Sequence, residues 1–279
     1  MTLYLNFRSQ SVGGAVVDPY LLEGNGTTAP PALKPVAWAD IAAKVAGKDV
    51  LLGVHGFNVN YRNGANSFGL LDGSLGLSAE SEIFIGVLWP GDFWIPAVNY
   101  PFEGSDAMEC GRRLADFCTR WLSEAQSLSF FSHSLGARLA LEAVTHLDRR
   151  ARMLCLTAAA INRDCLTAEY RSAAANADSI FLLASHNDTV LRLAFPMGDP
   201  ISNILDHDHV FFRAALGYEG PPPPAGPPVA FPWQIQDGYG YKHGSYLPPT
   251  DPALFSQRVT DFVRRAFRGQ PQPRPGALD

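Results

Sequence analysis

The stretch Leu128–Gly136, Leu-Ser-Phe-Phe-Ser-His-Ser-Leu-Gly, constrains the fold more than any other part of the sequence. Leu128, Phe130 and Phe131 form the short apolar run that a buried parallel strand requires. A small-residue segment, Ala137–Val144, follows at once. Gly136, Ala140 and Ala143 are spaced to let one helix face lie close on a sheet. Ser134 stands at the junction, flanked two residues away by Ser132 and Gly136. The arrangement matches the strand-turn-helix elbow G-x-S-x-G, with serine replacing the first glycine. A serine on such a turn projects its hydroxyl above the sheet, where the helix N-terminus helps to stabilise negative charge. S-x-S-x-G is a frequent chance pattern, so the reading rests on the strand before it and the helix after it.

The rest of the chain supplies similar units. Leu3, Leu5 and Phe7 alternate with polar neighbours, which predicts an opening strand with one buried face and Ala15–Val17 as its hairpin partner. Gly24–Pro35 reads as a surface loop and Val36–Ala46 as a short helix. Asp49–Val54, Glu82–Trp89, Met153–Thr157 and Ser179–Ala184 are further strand candidates, and Tyr61–Leu77 is a helix candidate. In Gly104–Ala125, Cys110, Leu114, Phe117, Cys118 and Trp121 fall at helical spacing, which predicts an amphipathic structural helix. An alanine-rich helix is expected after Asp164, and Asp251–Phe267 closes the fold as a helix. Strands alternating with crossovers long enough for parallel pairing predict one doubly wound, mostly parallel sheet with helices on both faces. The domain expectation is a single unit over residues 1–268, with a proline-rich excursion over 219–232 and a disordered tail over 269–279.

Two further segments carry chemistry. Asp49–Val54 runs into His55-Gly56-Phe57-Asn58, where a loop at a strand's carboxyl end can offer half of an oxyanion hole. The backbone N–H groups of Phe57 and Leu135 are the candidate donors, with Gly56 allowing close approach and His55 bracing the loop. A serine hydroxyl needs an adjacent base, and the base needs an orienting acid; where the serine sits on a strand-turn-helix elbow of this kind, the expected chain order is Ser, acid, His. Ser134, Asp188 and His243 obey that order. Rivals for the acid are Asp164, Asp199, Asp206 and Asp208. His207 and His209 in Asp-His-Asp-His could hold a metal, although such a run is more often a solvated loop and matches no strong metal spacing. His133 reads as a packing residue of the elbow, and His146 and His186 as surface or loop residues. Trp89, Phe93, Trp94 and Phe195 are candidate pocket walls alongside His55 and Gly56, with capping of the core as the competing role for the aromatics.

Composition narrows the classes. The net charge of −5 over 279 residues gives no support for nucleic-acid or anionic-membrane binding. Four cysteines without a C-x-x-C pair point to buried thiols rather than a metal site or a disulfide. No apolar stretch reaches membrane-spanning length, and the first residues lack a secretory pattern, so a cytoplasmic protein is expected.

Taken in order, His55-Gly56-Phe57-Asn58-Val59, Trp89-Pro90-Gly91, Ser132-His133-Ser134-Leu135-Gly136 and Ser185-His186-Asn187-Asp188 resemble a family of α/β-hydrolases of unknown function, often described as esterase/lipase-like. The resemblance spans Val50 to Val190. It implies the α/β-hydrolase fold and acyl-transfer chemistry, with Ser134 as nucleophile and Asp188 as acid; His243 as base rests on position and loop context. The expectation is hydrolysis of a small carboxylic ester with an apolar acyl or aryl group through an acyl-enzyme, without a cofactor. The alternatives are a thioesterase, an amidase, a carbon–carbon hydrolase, or a non-catalytic ligand- or partner-binding relative.

Overall fold

The computed structural model describes residues 1–9, 14–91, 96–193, 214–226, 228–272 and 278, with backbone alone over 96–104. Its frame is an eight-stranded sheet ordered β3-β2-β1-β5-β4-β6-β7-β8. The strands are β1 (Thr2–Arg8), β2 (Val16–Asn25), β3 (Ala32–Val36), β4 (Asp49–Val54), β5 (Glu82–Leu88), β6 (Ser127–His133), β7 (Met153–Thr157) and β8 (Ile180–Leu183). The pairs β1–β2 and β2–β3 are antiparallel, and the other five pairs are parallel. From β4 the chain winds to one side through β5, then crosses to β6 on the other side and continues to β7 and β8. The carboxyl ends of β4 and β6 therefore flank the point where the winding reverses, which is where open α/β sheets bind their ligands.

Alternation along each central strand makes two cores. Val50, Leu52 and Val54 of β4, Ile85 and Val87 of β5 and Leu128 and Phe130 of β6 face one side. There they meet α1 (Trp38–Val45), α3 (Pro96–Trp121), α4 (Gly136–His146) and α5 (Arg171–Ala175). Leu51, Phe84 and Phe131 face the other, against α2 (Tyr61–Leu75) and the C-terminal helix (Leu254–Phe267). The Asn60 side chain caps α2 by accepting the Asn63 N–H at 2.9 Å. Helix α4 is buried over Gly136–Val144, and its internal charges are paired, Arg138 with Glu169 at 2.6 Å and Glu142 with Arg112 at 2.9 Å. The four cysteines are buried free thiols.

Three expectations change. First, β1 is buried on both faces rather than one, because it lies between β2 and β5. Its polar side chains find partners: Thr2 donates to Asp72 at 2.6 Å, Tyr4 to the Ala65 carbonyl at 3.0 Å and Asn6 to the Tyr20 hydroxyl at 2.6 Å. Second, the loop expected over Gly24–Pro35 is shorter, since Ala32–Val36 forms the edge strand β3, where an outward Pro35 is tolerated. Third, the proline-rich excursion leads into a cover for the other edge. The Ile180 N–H donates to the Pro228 carbonyl, the Ala230 N–H to Ile180, the Ala184 N–H to Trp233 and the Ile235 N–H to Ala184, at 2.8–2.9 Å. Residues 228–235 thus satisfy backbone groups of β8 that an open edge would expose. Of the tail beyond Arg268, the described residues are 269–272 and the buried Leu278. Among the described residues no helix is long and apolar enough to cross a membrane.

Candidate active site

Ser134 sits at the turn between β6 and α4 with φ of 54°, a left-handed conformation that L-residues other than glycine, asparagine and aspartate rarely adopt. Backbone bonds hold it there: its N–H donates to the Thr157 carbonyl at 3.0 Å, and its carbonyl accepts from Ala137 at 3.0 Å and Ala160 at 3.2 Å. Asn58 and Ala158 also have positive φ, at 58° and 45°. All three follow the carboxyl ends of strands, at the edge where the winding reverses, and strained backbone concentrates at such sites. The serine that replaces the first elbow glycine fits. Ser132 is fully buried with its hydroxyl 3.5 Å from the Cys155 carbonyl, and its own carbonyl accepts from the Thr157 hydroxyl at 2.8 Å.

The three residues expected in the order Ser, acid, His come together. His243 Nε2 lies 2.9 Å from Ser134 Oγ, and Nδ1 lies 2.8 Å from Asp188 Oδ2. A carboxylate only accepts, so Nδ1–H is the donor, and in the neutral ring Nε2 is left to accept the serine proton. Asp188 is fully buried, and its second oxygen accepts the Leu191 N–H at 3.0 Å, as an acid just before the short helix α6 (Thr189–Leu193) can. Ser134 is 5% exposed.

Two neighbours of Asp188 fasten its loop to the loop that carries His243. The Ser185 hydroxyl donates to the Tyr241 carbonyl at 2.7 Å, and the Asn187 amide donates to the Asp237 carbonyl at 2.8 Å. Sequence reasoning missed both as site residues. The signal available was their position beside the acid, because short polar side chains there commonly bind backbone groups of adjacent loops.

The loop after β4 presses against the elbow. A Cβ on Gly56 would lie 2.8 Å from Ser134 Cβ and 3.0 Å from His133 Nδ1, and one on Gly136 would lie 2.4 Å from the His55 carbonyl oxygen. Both positions demand glycine for close approach. This contact places the segment that runs into Phe57 beside the first turn of α4, where the Ala137 and Arg138 N–H groups donate to the Ser134 and Leu135 carbonyls. His55 and Trp89 lie behind the loop. The His55 Nδ1–H donates to the Gly56 carbonyl at 2.8 Å, Nε2 accepts the Trp89 N–H at 3.3 Å, and the Trp89 indole donates to the His55 carbonyl at 2.8 Å. Burial pushes the His55 pKa down to about 3, so the ring is neutral and unsuited to general-base work at pH 7. Trp89 is fully buried, so its place is in the core rather than on a pocket wall. Arg8 sews the loops together by donating to the Trp89 carbonyl at 2.7 Å and the Val59 carbonyl at 3.1 Å. Phe57 is half-buried.

Phe93, Trp94 and Phe195, and with them Asp199, Asp206, Asp208, His207 and His209, lie outside the described residues. Asp164 follows β7, away from the hydrogen bonds of His243. His146 bonds Glu142 at 3.2 Å on the outer part of α4, and His186 lies 3.5 Å from Asp237. Among the described residues no group of three or more His, Cys, Asp or Glu has a metal-holding arrangement.

Residues 37–206 match the family described as alpha/beta hydrolase of unknown function (DUF900). The chain belongs to this alpha/beta-hydrolase family. The matched span takes in His55, Ser134 and Asp188 and stops before His243. No functionally curated protein matches the sequence. Among solved structures, this alpha/beta hydrolase is similar to esterase PE8, at 16% identity and a TM-score of 0.44, over 80% of this chain and 94% of that one. It is also similar to carboxyl esterase 2 of the mycorrhizal fungus Tuber melanosporum, at 14% identity and a TM-score of 0.44, over 94% of this chain and 83% of that one.

Proposed function

We propose that this chain is a serine hydrolase that cleaves small carboxylic esters through an acyl-enzyme. The observation that carries the reading is the unbroken hydrogen-bond path from Ser134 through His243 to the buried Asp188. Each link has a chemical task. Ser134 Oγ attacks the ester carbonyl as its proton passes to His243 Nε2, and Asp188 stabilises the imidazolium through Nδ1–H. The Phe57 and Leu135 amides receive the oxyanion, one donor of this kind being worth about 3 kcal/mol. The carbon–oxygen bond to the alcohol then breaks, and the leaving oxygen takes the proton from Nε2. Water adds to the acyl-enzyme by the same steps in reverse order, releasing the acid and restoring Ser134.

The half-buried Phe57, one residue beyond Gly56, would favour an apolar acyl or aryl group, and Phe93, Trp94 and Phe195 are the other residues proposed for that wall. The same machinery also serves thioesters and amides, so a panel of matched esters, thioesters and anilides ranks them. The test is hydrolysis of short p-nitrophenyl esters by the wild type and by Ser134→Ala. The variant is expected to lose turnover and keep its melting temperature; a variant that still turns over removes the proposal.

A further inference from the structure

The elbow histidine, His133, faces two of the loops around Ser134, the one after β4 and the one that carries His243. On the serine side it is the residue immediately before Ser134. On the side of the β4 loop, its Nδ1 would lie 3.0 Å from a Cβ on Gly56. On the base side, its Nε2 lies 2.8 Å from the backbone carbonyl oxygen of His243, and the two rings are 5.0 Å apart. It also packs 5.8 Å from the ring of Tyr246, one residue beyond the 3-10 turn His243–Ser245.

We propose that His133 is a positioning residue for the base, holding the His243 main chain to the elbow through a hydrogen bond from Nε2–H to the His243 carbonyl. The inference rests on the reading of Ser134, His243 and Asp188 as a triad, and it replaces the packing role expected for His133.

The chemistry of the bond fixes its direction. A carbonyl oxygen only accepts, so the proton must be on Nε2, which leaves Nδ1 bare toward Gly56. Hydrogen bonds set the direction of the His243 ring through Asp188, and its distance through Ser134. Neither bond fixes the main chain that carries the ring. The side chains of Ser185 and Asn187 hold the stretch upstream, at the Tyr241 and Asp237 carbonyls, and His133 alone of these reaches the residue that bears the imidazole. A histidine suits the place better than a lysine or arginine, which would set a permanent charge beside the imidazolium formed during turnover. The ring is only partly shielded from solvent, but the protein around it and the neighbouring His243 push its pKa down to about 3. It therefore donates without charge at neutral pH.

Two substitutions separate positioning from packing. His133→Phe keeps a ring of similar shape and has no donor; His133→Gln keeps an N–H donor and loses the ring. The readouts are the rate of reaction of Ser134 with a fluorophosphonate, kcat and KM on a p-nitrophenyl ester, and the melting temperature. The Phe variant is expected to lose roughly tenfold or more in both the fluorophosphonate rate and kcat, with KM nearly unchanged, while the Gln variant recovers most of the loss. A packing role gives the opposite order, because Gln leaves the larger gap. A Phe variant as reactive as the wild type, or a Gln variant no better than Phe, overturns the inference.

Nitrogen-15 histidine spectra of the wild-type protein provide a readout that needs neither substitution nor activity. His133 is expected to remain neutral with its proton on Nε2 from about pH 5 to 8; titration in that range or a proton on Nδ1 overturns it. A wild type inert to the fluorophosphonate removes the triad reading and this inference with it. A reactive wild type with an equally reactive Phe variant removes this inference alone.

Discussion

Replacing Gly56 by alanine tests whether the loop after β4 is part of the catalytic machinery. The added methyl would stand 2.8 Å from Ser134 Cβ, 3.0 Å from His133 Nδ1 and 3.2 Å from the His133 carbonyl oxygen, where ordinary contact begins near 3.4 Å. The Ser134 turn cannot retreat, because three backbone hydrogen bonds hold it at positive φ. The loop must therefore move by about half an ångström, and the Phe57 amide moves with it. Loss of an oxyanion donor costs on the order of a hundredfold to a thousandfold in kcat, and misplacement by about 1 Å costs on the order of a hundredfold. A partial displacement is expected to lower kcat between roughly tenfold and a hundredfold. Overpacking at one methyl also costs about 1–3 kcal/mol of stability, so the protein should fold. The assay is steady-state hydrolysis of a p-nitrophenyl ester, with urea denaturation on the same preparation. Activity within twofold of wild type in a folded variant would refute the reasoning, since the methyl would then have been absorbed without moving the donor.

Other perturbations give different signatures. Asp188→Asn can present its amide to His243 and favour the wrong tautomer, so kcat is expected to fall by on the order of 10⁴ with KM little changed; a loss below tenfold would show that Asp188 is not the orienting acid. Ser134→Gly relieves a side chain held at φ of 54° and is expected to raise stability in urea by about 1 kcal/mol while abolishing turnover; a destabilised variant would mean that the turn is not strained. The pKa of His55, pushed down to about 3 in the fold, lies below its unfolded value near 6.5, so between these values the unfolded chain binds the extra proton. Stability is therefore lost as pH falls below about 6.5, by about 2 kcal/mol from this group at pH 5. Urea titrations at pH 7 and 5 check the loss, and His55→Gln should shrink it; an unchanged loss contradicts a buried neutral His55.

The architecture was legible because parallel strands buried on both faces must be nearly all apolar. Asp49–Val54, Met153–Thr157 and Ser179–Ala184 each announce themselves in that way. The opening strand was harder to read. Its polar residues look like a solvent face, and their burial depends on partners such as Asp72 and Tyr20, brought in by other elements. The edge strand Ala32–Val36 was hidden for the opposite reason: exposed and containing proline, it has no periodic signal, and only its pairing with β2 makes it a strand. At the site, residue type and chain order brought Ser134, Asp188 and His243 into view, and the structure brings them within hydrogen-bond reach of one another. The role of Trp89 was less visible than that of His55, which reads as a brace of its loop. An aromatic at a strand's carboxyl end can face a ligand or the core, and the choice is made by the mutual hydrogen bonds of their indole, imidazole and backbone groups. For Ser185 and Asn187 the position beside the acid was the one signal, since their targets lie about fifty residues away in sequence.

Reaction of the wild-type chain with a fluorophosphonate, followed by peptide mass mapping, tests the central claim most directly. A single stoichiometric adduct on Ser134, lost when His243 is replaced by Ala, is the result expected of an activated serine. Folded wild-type protein that takes up no label, or takes it up equally well without His243, contradicts the account.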